Sequence, residues 1–162
     1  MSTWPYRLER WRQLIEDAAT AYNLAPELIA AVMDRESGGG VYLTPVGPAG
    51  TGDEGHGRGL MQIDDRAHPD WCAQVDDSGT PLWQLPEHNI AKGAEELARN
   101  LILFGDVPSA VAAYNAGDGK VRRLILMVPR PSIHQLDQLT TGHDYVSDVL
   151  DRLHKLQFDG AS

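Results

Sequence analysis

A single cysteine, Cys72, is present, which excludes an intrachain disulfide and any cluster of thiolate ligands within one chain. The fold must therefore be held by its core. No run of about 18 consecutive apolar residues occurs, the length that a membrane span requires. The start, Met1-Ser2-Thr3-Trp4-Pro5, lacks the basic region and apolar segment of a secretory signal. Neither a membrane partner nor standard secretion is expected. Positive charge is also scarce: 14 basic side chains face 23 acidic ones, for a formal charge of -9. Apart from Arg122-Arg123 the cations are scattered, and such a balance repels phosphate backbones. Nucleic acid is not expected as a partner, and a long-range pull toward an anionic polymer is equally absent. The six histidines show no His-Glu-x-x-His pairing of a zinc site. There is no internal repeat, low-complexity tract or interdomain linker.

What is present is an ordinary globular composition, 42% apolar and 23% charged over 162 residues, consistent with one domain spanning residues 1–162. The periodicity of Leu8, Trp11, Ile15 and Ala18 predicts one amphipathic helix from Trp4 to Tyr22. A second helix starts at Pro26, where a missing amide proton costs nothing. It continues through Leu28, Ile29, Ala30, Ala31, Val32 and Met33, and stops at Gly38-Gly39-Gly40. Being apolar on all sides, it is expected to be central and buried. Downstream, Asn89 reads as the cap of a helix carrying Ile90, Ala94, Leu97 and Leu101. Ser109 opens a helix that stops at Gly117, a short one covers Val121 to Met127, and a last one begins near Thr141. Between Gly38 and Thr80 lie ten of the sixteen glycines, which predicts loop and a short β-hairpin. The fold class is α+β, mainly helical.

Leu28, Val32 and Glu36 recur at four-residue intervals, so the Glu36 carboxyl continues an apolar stripe. Partial burial and the negative end of the helix dipole both favour its protonated form, the condition for a general acid near neutral pH. A lone glutamate at a helix end is more often simply solvated. Its weight comes from the following segment, Gly52-Asp53-Glu54-Gly55-His56-Gly57-Arg58-Gly59-Leu60-Met61-Gln62-Ile63-Asp64, whose glycines allow close approach to a ligand and whose Asp53 and Asp64 supply further carboxylates. Calcium capture is the competing use of such a loop. The spacing lacks the alternating oxygen ligands of a calcium-binding hand, so neither a metal nor a cofactor is expected.

Taken in order, Arg35-Glu36-Ser37, Gly52-Asp53, Gly59-Leu60-Met61-Gln62-Ile63-Asp64, Ala113-Tyr114-Asn115-Ala116-Gly117 and His143-Asp144-Tyr145 with Asp148-Val149 resemble the motifs of goose-type lysozymes. The broader relatives are soluble lytic transglycosylases. The resemblance runs from about Leu24 to Leu153. It implies a lysozyme-like fold with a small β element beside the catalytic helix, Glu36 as general acid, and Asp53 and Asp64 holding an attacking water. Tyr114, Asn115 and Gln62 then line a glycan cleft, with His56 as a loop or subsite residue, and Tyr145 points at the catalytic glutamate. Arg35 reads as a structural ion-pair partner.

The implied substrate is peptidoglycan, cut between N-acetylmuramic acid and N-acetylglucosamine by a monomeric muramidase. Two aspartates favour inverting hydrolysis. The alternatives are a lytic transglycosylase forming 1,6-anhydro ends and an inactive wall-binding or phage structural module. The chain lacks the cysteine-containing amino-terminal portion of animal goose-type enzymes. Action on the bacterial wall from a phage or bacterial source, delivered by a non-standard route, is therefore the expectation.

Overall fold

Residues 4–158 are described by a computed structural model. Its helices are α1 (Tyr6–Glu9), α2 (Arg12–Tyr22), α3 (Pro26–Ser37), α4 (Pro69–Cys72), α5 (Pro86–Phe104), α6 (Val107–Ala116), α7 (Asp118–Met127), α8 (Ile133–Asp137) and α9 (Tyr145–Phe158). Between α3 and α4 lies an antiparallel sheet of β1 (Thr51–Gly52), β2 (Gly57–Arg58) and β3 (Ile63–Asp64), paired in the order β1-β2-β3. Its register sets Gly52 opposite Gly57, and Gly57 opposite Asp64.

Helix α3 is the axis of the molecule. Pro26 opens it and Gly38, at φ 58°, closes it in a left-handed conformation that a side chain adopts only at a cost. Every residue from Leu28 to Asp34 is buried, because α2, α5 and α9 all pack around it. The core is one contiguous cluster running from Trp4 and Leu8 through α3 to Val149 and Leu156.

The predicted single helix from Trp4 to Tyr22 is two helices. The Trp11 amide bonds to the carbonyl of Leu8, a tightened turn, and the Trp11 indole donates to the carbonyl of Gly39 at 2.9 Å. Docking that ring on the end of α3 fixes Trp11 at φ -102°, ψ 0° and breaks the helix there. The other boundaries move for similar reasons. Asp106, not Ser109, caps α6, accepting the Ser109 amide at 2.8 Å. Thr141 opens only a 3-10 turn, Thr141–His143. Helix α9 starts at Tyr145, where the buried Asp137 carboxylate accepts the amides of Val146 and Ser147. Asp137 ends α8, a helix whose capping box at Ser132 and Gln135 was not read from the sequence.

Asn89 does not cap α5, which starts at Pro86; it lies inside the helix, fully buried. Its Nδ2 donates to the carbonyls of Arg58 and Trp83 at 2.9 and 3.0 Å, and its Oδ1 accepts the Met61 amide at 2.8 Å. One side chain thus fastens the sheet region to the helical body. Asn89→Ala should lower stability by about 2–4 kcal/mol, because buried backbone groups lose their partners. Urea unfolding checks this; a loss under about 1 kcal/mol would mean that water replaces the amide without penalty.

Candidate active site

Glu36 lies in the last turn of α3, where the helix reaches the wall of a cavity of about 280 Å³. Asp53, Gly57, Gln62, Asp64, Arg66, Tyr114, Asn115 and Thr141 complete the lining. Burial of the Glu36 carboxyl pushes its pKa up to about 7, against the opposing pull of the Tyr145 hydroxyl and the Arg35 charge. Tyr145, fully inside the core at the start of α9, donates its hydroxyl to Glu36 Oε1. The loss of hydration outweighs both stabilising partners, so the carboxyl keeps its proton well above the ordinary carboxylate range.

The opposite wall treats its carboxylates differently. Asp53 lies at φ 47° in the turn between β1 and β2, and Asp64 ends β3. The Arg66 guanidinium bridges them, with N–O distances of 2.6 Å to Asp53 Oδ2 and 2.6 Å to Asp64 Oδ2. Arg66 also donates its Nε and its backbone amide to Asp64 Oδ1, at 2.9 and 2.8 Å. These bonds hold the Asp64 carboxyl down at about 2. The cavity therefore sets a protonated carboxyl facing carboxylates held in place by a shared cation, the division of labour that acid catalysis with an oriented nucleophile uses.

The remaining predicted residues hold the walls together. Tyr114, on α6, donates to the Met61 carbonyl at 2.7 Å, and Asn115 accepts the Thr141 amide at 2.9 Å. Gln62, at φ 51°, donates to the carbonyls of Gly57 and Gly59 at 3.2 and 2.9 Å. Its Oε1 lies only 2.1 Å from where a Cβ on residue 57 would be, so a side chain there would displace the Gln62 amide. His56 is the exception. Its Nδ1 is 2.8 Å from Asp65 Oδ1, in a cluster with Arg58, and it is not among the residues lining this cavity or the next.

A second cavity of about 420 Å³ continues from the first through Gln62, Asp64, Tyr114 and Asn115, and is lined further along by His68, Glu96 and Asn100. Together they make a trough suited to an extended ligand. Arg66 and His68 were missed in the sequence. The available signal was proximity: a cation two residues beyond Asp64 on a chain with few cations. Among the described residues no group of three or more His, Cys, Asp or Glu is placed to hold a metal ion.

The sequence profile of the family described as Lysozyme g matches residues 5–158. Lysozyme G of Dromaius novaehollandiae is 32% identical over 149 residues, covering 90% of this chain and 65% of that protein. Lysozyme g of Epinephelus coioides is 32% identical over 162 residues, with 90% and 74% covered. A transglycosylase of Enterobacteria phage PRD1 is 34% identical over 108 residues, 67% of this chain and 35% of that one. Among solved structures, an inactive mutant of the lytic transglycosylase Slt from Pseudomonas aeruginosa shares the fold at a TM-score of 0.69. Its identity is 21%, and the match covers 93% of this chain and 25% of that chain. The chain spans 65% of the length of the Dromaius protein.

The raised pKa makes Glu36 a cost to folding at high pH. Below about 4.5 the carboxyl is protonated folded or unfolded; between there and about 7 only the unfolded chain ionises, and stability falls. Glu36→Gln removes that titration. Relative to the parent it should gain stability on the order of 2–3 kcal/mol between pH 4 and pH 8. Denaturant midpoints across that range check this, and parallel curves would show that Glu36 is not held protonated.

Proposed function

Because the chain belongs to the lysozyme g family, we propose that it cleaves peptidoglycan at the β-1,4 bond between N-acetylmuramic acid and N-acetylglucosamine, with Glu36 as general acid. The observation that carries this reading is a glutamate protonated to about pH 7 in a cavity wall, opposite Asp53 and Asp64. Glu36 donates its proton to the glycosidic oxygen as the bond breaks. Positive charge then develops at the sugar's anomeric carbon. A water held by Asp53 and Asp64 attacks from the opposite face, giving inversion, and once its oxygen is bonded to the anomeric carbon it loses a proton past the aspartates to solvent.

Arg66 refines the role of the aspartates. A carboxylate with a pKa near 2 is a weak base, so Asp64 acts by accepting a hydrogen bond from the water and aiming it. An oxocarbenium-like centre is electrophilic enough to need little more. Tyr145 holds the Glu36 carboxyl in one orientation before and after the proton leaves.

The same weak basicity supports a second reading, lytic transglycosylation. There Glu36 serves as acid and then as base while the muramoyl 6-hydroxyl attacks to form a 1,6-anhydro end. The similarity to a phage protein named a transglycosylase favours testing it.

Glu36→Gln should reduce lysis of purified peptidoglycan by at least about 10²-fold with the fold intact, since general acid catalysis contributes 10²- to 10⁴-fold. Retention of a tenth of the activity would sink the assignment. Single Asp53→Asn and Asp64→Asn changes should cost less than the double change. Mass spectrometry of the digest should give reducing N-acetylmuramic acid ends. Predominantly 1,6-anhydro ends, with the double mutant still active, would establish the transglycosylase reading in place of hydrolysis.

A further inference from the structure

Behind Glu36 runs an alternating chain of charges. Arg7 grips the buried Asp34 with Nε at 2.7 Å and a second nitrogen at 3.1 Å, and Arg152 closes on the same carboxylate. Arg152 Nε lies 2.7 Å from Asp148 Oδ2. Arg35 takes the same Asp148 oxygen at 3.0 Å and reaches Asp144 Oδ1 at 2.8 Å. The chain joins α1, α3 and α9. Its last member, Arg35, precedes the acid in sequence, and its carboxylate partners bracket Tyr145: Asp144 directly before it and Asp148 three residues after it. The guanidinium carbon also lies 5.4 Å from the centre of the Tyr145 ring, within cation–π range.

We propose that Arg35 is a positioning residue: by pairing with Asp144 and Asp148 and lying over the Tyr145 ring, it holds the Tyr145 hydroxyl on the Glu36 carboxyl. The proposal rests on Glu36 being the general acid. Helix α9 packs on α3 and buries Val146 and Val149, yet apolar packing does not fix a hydroxyl to one oxygen. A planar cation tied to the residue before the tyrosine and to the first turn of its helix does. The charged and titratable groups facing Glu36 are Arg35 on its own helix, Tyr145 on α9, Tyr114 on α6, and Asp53, Asp64 and Arg66 across the cavity.

The test follows the Glu36 carboxyl by carbon NMR across pH in the full chain, beside kcat and KM on peptidoglycan. Arg35→Met should raise the Glu36 midpoint by about half a unit or more, since it loses both a nearby cation and the tyrosine donor. It should lower kcat about tenfold with KM changed less than about threefold. In a Tyr145→Phe background the same substitution should move the midpoint by less than half as much, and Arg35→Lys should recover part of the loss. Asp144→Asn separates the clamp from plain electrostatics: removing an anion by itself moves the midpoint down or not at all, whereas a loosened clamp moves it up. Arg7→Met, at the far end of the chain, should lower the melting temperature without moving the midpoint.

An unmoved or lowered midpoint in Arg35→Met, or an equal shift with and without Tyr145, would overturn the proposal. Should Arg35→Met fail to fold, Asp144→Asn decides alone, by the direction of its shift. Activity surviving in Glu36→Gln would overturn the acid assignment instead, and the NMR midpoint would still report on the clamp.

Discussion

A carboxyl held protonated toward neutral pH at the wall of an open cavity is the constraint around which the molecule is arranged. Hydration favours the carboxylate, so enough of it must be removed to lift the pKa from about 4.5 to about 7. The chain does this with α3, whose residues Leu28 to Asp34 are all buried and whose last turn just reaches the cavity wall. Gly38 must then end the helix at once. Helix α9 brings Tyr145 against the carboxyl, α6 brings Tyr114 into the same wall, and the sheet supplies the opposite side. Each of these packings has its own apolar area to bury, and the acid is their common product.

The opposite wall solves the reverse problem. Asp64 is half-exposed, and its hydrogen bonds to Arg66 outweigh the hydration it loses and keep its carboxyl near 2. Two carboxyl groups of one cavity are thereby pushed about five pH units apart by environment alone. That separation leaves Glu36 the protonated partner and Asp64 the ionised one near neutral pH. The strong pairing that guarantees ionisation of Asp64 also weakens its basicity.

What the sequence made legible was whatever depends on local pattern. Helix α3, with Pro26 and the Gly38 stop, follows from periodicity and caps, and the glycine-dense stretch marked the sheet. The failures share one cause, a side chain whose role is set by a partner distant in sequence. Trp11 breaks a regular helix because its indole docks on Gly39. Asn89 looks like a cap because asparagine caps helices, yet it bonds to the carbonyls of Arg58 in β2 and of Trp83. Helix α9 starts late because Asp137, from another helix, receives its first amides. In the site, Glu36, Asp53, Asp64, Gln62, Tyr114 and Asn115 meet at one cavity, and they were found through ordered motifs. Arg66 belongs to none of those motifs, and His56 belongs to the loop but pairs away from the cavity with Asp65.

The raised pKa of Glu36 is therefore a tertiary property. Tyr145 is 109 residues from Glu36, so no local fragment of the chain reproduces its environment. Two consequences of loosening α9 oppose each other: losing the Tyr145 hydroxyl raises the Glu36 pKa, while admitting water lowers it. Burial is the larger of the two influences, so a large opening of α9 returns the carboxyl toward its ordinary value and leaves it ionised at neutral pH. A small displacement that frees the hydroxyl but admits no water has the opposite sign. The pKa of Glu36 thus distinguishes a lifted helix from a misplaced tyrosine, and the ion chain from Arg7 to Asp144 holds the helix in the one arrangement where burial and hydrogen bond act on the carboxyl together.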